Sequence, residues 1–136
     1  MTLDKLNKLE KLINSELGSK VQRSIIENNE ILIEVKEIDL IESLQFLKLS
    51  DACKFRQLID IAAVDYPENE KRFQLVYLLL SHENNLRIKL AINFDLNTII
   101  SSITKIFPSA NWMEREVFDM YGIKFKNHPD LRRILT

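Results

Sequence analysis

The stretch that most constrains this chain is Phe73–Phe94. Phe73–Leu80 is apolar at every position but Gln74, and Leu86–Phe94 then alternates Leu, Ile, Leu, Ile and Phe with Arg, Lys, Ala and Asn. The first run predicts a central strand covered on one or both faces, and the second a neighbouring strand with one wet face. The polar residues Ser81–Asn85 between them read as a turn. Upstream, Phe55–Val64 predicts another buried strand, closed by the turn Asp65-Tyr66-Pro67-Glu68-Asn69. Strands joined by such short turns pair antiparallel, because a parallel pair needs a long crossover. Residues 55–94 are therefore expected to form a three-strand meander.

The flanks carry different periods. Leu3, Leu6, Leu9, Leu12, Ile13 and Leu17 recur at three- and four-residue steps, which predicts an amphipathic helix ended by Gly18. Val21–Ile26 and Glu30–Val35 are short β-branched runs, and Asn28-Asn29 between them suits a hairpin turn. Asp39 is placed to cap a second helix, and Asp95 or Asn97 a third through Thr98–Ile106, stopped by Pro108. Asn111 stands where a last helix begins, and Glu114 lies at the capping-box spacing from it. Met113, Val117, Met120 and Tyr121 form its apolar stripe, and Gly122 its stop. The predicted class is α+β, one domain over residues 1–136, with helices packed on a mostly antiparallel or mixed sheet. It divides into a helix–strands–helix part (1–50), the meander (55–94), helices (97–122) and an irregular basic arm (123–136).

Composition removes several kinds of chemistry. Two glycines, Gly18 and Gly122, cannot write a P-loop, a dinucleotide fingerprint or a nucleophile elbow. One cysteine, Cys53, forms no intrachain disulfide and builds no cluster alone. A net charge of −1 gives no global field for nucleic acid. The longest apolar run, Leu75–Leu80, is far short of the ~20 residues of a bilayer span. The opening MTLDKLNKLEKL lacks the continuous apolar segment of a secretory signal.

Charged groups crowd into the run NWMEREVFDMYGIKFKNHPDLRRIL, Asn111–Leu135. On a helix, Glu114 and Glu116 point apart, so a paired-carboxylate acid–base site is disfavoured. Glu114 is read as a cap, Arg115 as a partner of Asp119, and Glu116 as solvated or bridging. A free-standing enzyme using Glu116 and His128 is the remote alternative. His82, His128 and Cys53 lack ligand spacing, and zinc there would be a coincidence of the fold. Lys124, Lys126, Arg132 and Arg133 outweigh Asp130 in the arm, a composition that fits a protein interface better than nucleic acid.

The run Glu114-Arg115-Glu116-Val117-Phe118-Asp119-Met120-Tyr121-Gly122-Ile123, followed by His128-Pro129-Asp130-Leu131-Arg132-Arg133-Ile134-Leu135, resembles a family signature. It is similar to that of the 30 kDa subunit, or C subunit, of proton-pumping NADH:quinone oxidoreductase, respiratory complex I. The resemblance extends upstream through Phe55–Asp60, Val64-Asp65-Tyr66-Pro67, Arg72-Phe73, Val76-Tyr77, Leu79-Leu80-Ser81, Pro108 and Ala110-Asn111-Trp112. It covers about residues 55–135, and the first 50 residues agree in layout only.

That resemblance implies a non-catalytic structural subunit of the peripheral arm. FMN, iron–sulfur clusters, NADH and quinone would sit on other subunits, and no cofactor or metal on this chain. The implied partners are chiefly the 49 kDa-type D subunit, then the B and I subunits. The implied location is peripheral, on the cytoplasmic side of a bacterial inner membrane or the matrix side of a mitochondrial one. Glu114, Arg115, Glu116, Asp119, Gly122, His128, Pro129, Asp130, Arg132 and Arg133 are the signature and candidate interface positions. Glu114 and Asp119 are expected to serve mainly contacts within the chain. A scaffold subunit of a related membrane-bound hydrogenase or quinone-linked dehydrogenase is the alternative. Family members ordinarily continue past the RRIL run with a segment that wraps along the 49 kDa-type subunit, whereas the sequence here reaches Thr136.

Overall fold

A computed structural model describes residues 2–131. Helix α1 (Thr2–Leu17) is followed by strands β1 (Val21–Glu27) and β2 (Glu30–Val35), then α2 (Leu40–Leu49). Strands β3 (Gln57–Asp65), β4 (Phe73–Ser81) and β5 (Leu86–Phe94) come next. Strand β6 (Ile99–Ser101), helix α3 (Ala110–Tyr121) and strand β7 (Lys124–Lys126) complete the described chain.

The strands β1 to β5 make one sheet in the order β1-β2-β5-β4-β3. All neighbours are antiparallel except β2 and β5, which run parallel. The α+β domain on a mixed sheet is thus as the periodicity predicts. The meander is present, with Phe73 opposite Phe94 and Tyr77 opposite Leu90. Asn28 and Asn29 both take positive φ, 54° and 62°, which two-residue hairpin turns demand and asparagine tolerates. Every second residue of β4, from Phe73 through Leu75, Tyr77 and Leu79, is buried. These side chains join Leu6, Leu9, Ile13 and Leu17 of α1 and Leu40, Leu44 and Leu47 of α2 in one core. Because side chains alternate along a strand, this single row fixes the register of the whole layer.

The predicted helix over Thr98–Ile106 does not form. Asp95 Oδ1 instead accepts hydrogen bonds from the Asn97 backbone N–H (2.9 Å) and the Thr98 hydroxyl (3.2 Å), closing a turn. Ile99–Ser101 then pairs in parallel with Lys124–Lys126 as a two-stranded sheet. Local side-chain bonds compete with helix in just this way, and β-branched Ile99 and Ile100 favour the strand. A parallel pair needs a helical crossover, and α3 supplies it. The arm is accordingly less irregular than expected, since β7 occupies its start.

Capping also departs from expectation. Asp39 precedes α2 but makes no side-chain cap. Helix α3 begins one residue before Asn111, with Ser109 at the cap position and no side-chain bond there. Gly122 does end α3 in the left-handed region (φ 72°), and its N–H reaches Phe118 O at 2.8 Å. Met120, predicted on the apolar stripe, is 75% exposed, whereas Met113 and Val117 are buried.

Candidate functional site

The corner enclosed by β6, α3 and β7 holds two fully buried ionisable side chains, Glu114 and His128. Glu114 lies one turn into α3, on the same face as Ala110 and Val117, and is excluded from solvent. One carboxylate oxygen accepts the Ser102 hydroxyl at 2.7 Å, and the other accepts the Ile103 backbone N–H at 2.9 Å. The Ser102 hydroxyl in turn lies 3.0 Å from the Thr104 hydroxyl. Glu114 is therefore no helix cap. It fastens the loop after β6 onto α3.

His128 is equally buried. Its Nδ1 accepts the backbone N–H groups of Asp130 (3.1 Å) and Leu131 (3.2 Å), so the ring proton sits on Nε2. Nε2 donates to the Asn111 carbonyl at 2.8 Å and stands 3.8 Å from a Glu114 oxygen. Desolvation raises the Glu114 carboxyl above its ordinary range, opposed by the Ser102 hydroxyl, the Ile103 amide and the His128 ring. Tyr77, reaching in from β4, is buried, and its hydroxyl has no hydrogen-bond partner among the described residues. Burial, then the Glu114 charge, pushes that phenol well above its usual value. Both histidine nitrogens and both carboxylate oxygens of the Glu114–His128 pair are thus occupied. The arrangement clasps three segments together: 102–104, the first turn of α3, and 128–131.

The other signature residues do not join this cluster. Arg115, Glu116 and Asp119 are exposed on the outer face of α3, beside Trp112 and Met120. The predicted Arg115–Asp119 pair is replaced by a contact from Arg115 to Asp130 at 3.9 Å, across to the 128–131 turn. Glu116 at the surface and His128 in the interior are not brought together. Pro129 and Gly122 are exposed, and Lys124 and Lys126 flank the buried Phe125. Arg132 and Arg133 lie outside the described residues. Cys53 is buried, and burial raises its thiol against a lowering bond from Ser50. His82 is exposed on the β4–β5 turn, its Nε2 2.5 Å from Gln57 Oε1. Among the described residues, no three His, Cys, Asp or Glu side chains gather as a metal-binding set.

Sequence reasoning misses Ser102, the Ile103 N–H, the Asn111 carbonyl and Tyr77. Two of these are backbone groups, which leave no trace in residue identity. Tyr77 reads in the sequence as one more apolar member of a strand.

Comparison with known proteins places this corner in context. Residues 33–136 match the family model described as respiratory-chain NADH dehydrogenase, 30 Kd subunit. The chain is 48% identical over 120 residues to the C subunit of NADH-quinone oxidoreductase from Methylobacterium radiotolerans, covering 88% of this chain and 56% of that one. It is 52% identical over 107 residues to the same-named protein of Caulobacter vibrioides, covering 79% and 54%. The chain spans just over half the length of these curated relatives. Among solved structures, it is similar to Nqo5 in a trypsin-resistant fragment (1-134), with a TM-score of 0.78, 24% identity, and 93% and 99% of the two chains covered. It is also similar to a chain of an archaeal membrane-bound sulfane sulfur reductase, with a TM-score of 0.77, 23% identity, and 90% and 71% covered. At those identities the structural likenesses speak for the fold alone, while the sequence match carries the assignment: the chain belongs to the family of the 30 kDa subunit of respiratory-chain NADH dehydrogenase.

Proposed function

We propose that this chain is a structural subunit of the peripheral arm of NADH:quinone oxidoreductase, without catalytic residues of its own. It supports electron transfer from NADH to quinone, coupled to proton translocation, by holding the geometry of its neighbours. The observation that carries this reading is the family match over residues 33–136. The corner agrees with it, because Glu114 and His128 spend their hydrogen-bonding capacity on the chain's own loops. FMN, iron–sulfur clusters, NADH and quinone belong to other subunits in this reading. Among the described residues no helix is long and apolar enough to cross a membrane. The names of the relatives favour this complex over a hydrogenase-type assembly.

The partners are chiefly the 49 kDa-type D subunit, with the B and I subunits, on the cytoplasmic side of a bacterial inner membrane. The exposed residues of α3 and the basic arm, with Arg132 and Arg133, form the contact with the 49 kDa-type subunit. The double substitution Arg132→Glu, Arg133→Glu is expected to weaken co-purification with that subunit while leaving the unfolding midpoint of the isolated chain unchanged. Normal assembly of the double variant would remove the arm from the interface. Turnover of NADH or quinone by the purified chain alone would overturn the non-catalytic reading.

A further inference from the structure

Helix α1 and the turn that follows α2 border a surface groove. Two adjoining depressions, of about 200 and 480 Å³, share Leu12 and Ala52 as common lining. The floor is apolar: Leu9 and Leu86 are nearly buried beneath it, and Leu12 and Phe46 are half-buried along it. Leu49, at the C-terminal end of α2, stands 74% exposed on its wall. The charged residues are sorted between the two: Lys5 and Lys8 line one depression, and Glu16 and Asp51 the other. Lys5 is fixed there by donating to the Asn84 carbonyl at 2.5 Å.

The dimensions specify an occupant. Lys5 and Glu16 are separated along α1 by roughly 16 Å at 1.5 Å per residue, about three helical turns. An apolar strip of that length between a helix and a turn suits an amphipathic helix laid in a groove. Opposite charges at the two ends select its polarity, since complementary rim charges fix register and suppress the reversed orientation. A helix parallel to α1, with acids in its first turn and bases in its last, satisfies both ends and is itself stabilised by that layout.

We propose that this groove docks a three-turn amphipathic helix of another protein, acidic at the end facing Lys5 and Lys8 and basic at the end facing Glu16 and Asp51. The inference stands independently of which assembly the chain joins.

The test uses a designed 14-residue helical peptide with a leucine seam, glutamates in its first turn and lysines in its last. Its binding to the full chain is followed by fluorescence anisotropy at low salt. A second peptide carries the same composition with the charged ends exchanged. The first peptide is expected to bind and the exchanged peptide to bind roughly tenfold more weakly, the worth of a few rim charges. Lys8→Glu combined with Glu16→Lys should invert that preference, and Leu49→Asp should abolish binding of both. Circular dichroism and urea midpoints confirm that each variant is folded, and Lys8→Glu alone provides a milder variant should the double one fail to fold. Equal binding of the two peptides, or no binding at all, overturns the proposal. So does self-association of the chain that Leu49→Asp removes, because the groove then receives a second copy.

Discussion

The β3–β5 meander and the β6–α3–β7 corner are held by different forces. In the meander, buried side chains on one face meet in register, and polar groups lie at the margins: Gln74 to Asn93 at 3.1 Å, Arg72 to Asp65 at 2.6 Å, Arg56 to Glu83 at 2.6 Å. In the corner, the two short strands bury Ile100 and Phe125, and a buried carboxylate and imidazole add directional connections between segments. Apolar burial is non-directional and tolerates small changes in shape. A buried polar clasp is directional, and its loss leaves desolvated groups without partners. The two regions should therefore respond oppositely to removal of polar atoms.

The sharpest way to break this contrast is Glu114→Ala. It strands the Ile103 N–H in the interior, takes one acceptor from the Ser102 hydroxyl and leaves a cavity, at an expected cost of about 2–4 kcal/mol in urea unfolding. Glu114→Gln keeps one acceptor and one donor in place and should cost clearly less. A loss for Glu114→Ala no greater than for a surface carboxylate would show that the corner does not depend on the clasp. The pH dependence follows from the raised carboxyl. The folded state holds this proton more tightly than the unfolded chain, so the stability it brings is fully present below the ordinary value near 4.5 and is lost as pH rises through the folded value. Over that interval the wild type should lose stability relative to Glu114→Gln.

His128→Ala comes next, at about 1–3 kcal/mol, because the Asp130 and Leu131 N–H groups and the Asn111 carbonyl each lose a partner near a chain segment that water can reach. Hydrogen exchange should report the loss locally, with faster exchange at Asp130 and Leu131 and unchanged protection in β4. Uniform acceleration across the meander would mean instead that the two regions unfold as one unit.

The difference between the regions also explains what could be read from sequence. Strand β5 and hairpin β1–β2 announce themselves through alternation and a positive-φ Asn-Asn pair, because packing on a pleated sheet selects residue types at fixed spacing. The corner is written in bonds from side chains to distant backbone. Glu114 has the capping-box spacing from Asn111 but lies one turn into α3 and turns inward toward Ile103, and no local spacing distinguishes those two fates. Asp95 and the β-branched Ile99-Ile100 pair did hold a signal against helix, since an Asx turn followed by such residues favours a strand. The family signature located the corner without explaining it: its Glu and His are the clasp, while its Arg115, Glu116 and Asp119 stay at the surface.

Tyr77→Phe tests the seam between the regions, and its expected sign is reversed. The phenol is buried, and its hydroxyl has no hydrogen-bond partner among the described residues. Removing it keeps the ring's contacts and deletes an unsatisfied polar atom, so stability should stay level or rise by up to about 1 kcal/mol. A loss larger than that would place a bound water on the hydroxyl, tying the meander to Glu114 through a bridge.

The smallest effect belongs to the meander's own ion pair. Asp65 receives two bonds from the Arg72 guanidinium, 2.6 and 2.9 Å, on a surface where solvent screens them. The Arg72 hydrogen bond lowers the Asp65 carboxyl, so its contribution is present above the ordinary value near 3.8 and is lost as pH falls through the folded value. That is the reverse of Glu114, whose contribution disappears on the alkaline side. Asp65→Asn should accordingly move the urea midpoint less than any corner variant, vanish within error at 1 M salt, and flatten only the most acidic part of the stability profile. Arg72→Gln adds the loss of the guanidinium over the Phe73 ring, 5.3 Å from its centre, and should exceed Asp65→Asn by that contact alone. If Asp65→Asn instead costs as much as His128→Ala and resists salt, the meander too depends on a polar clasp, and the contrast between the two regions fails.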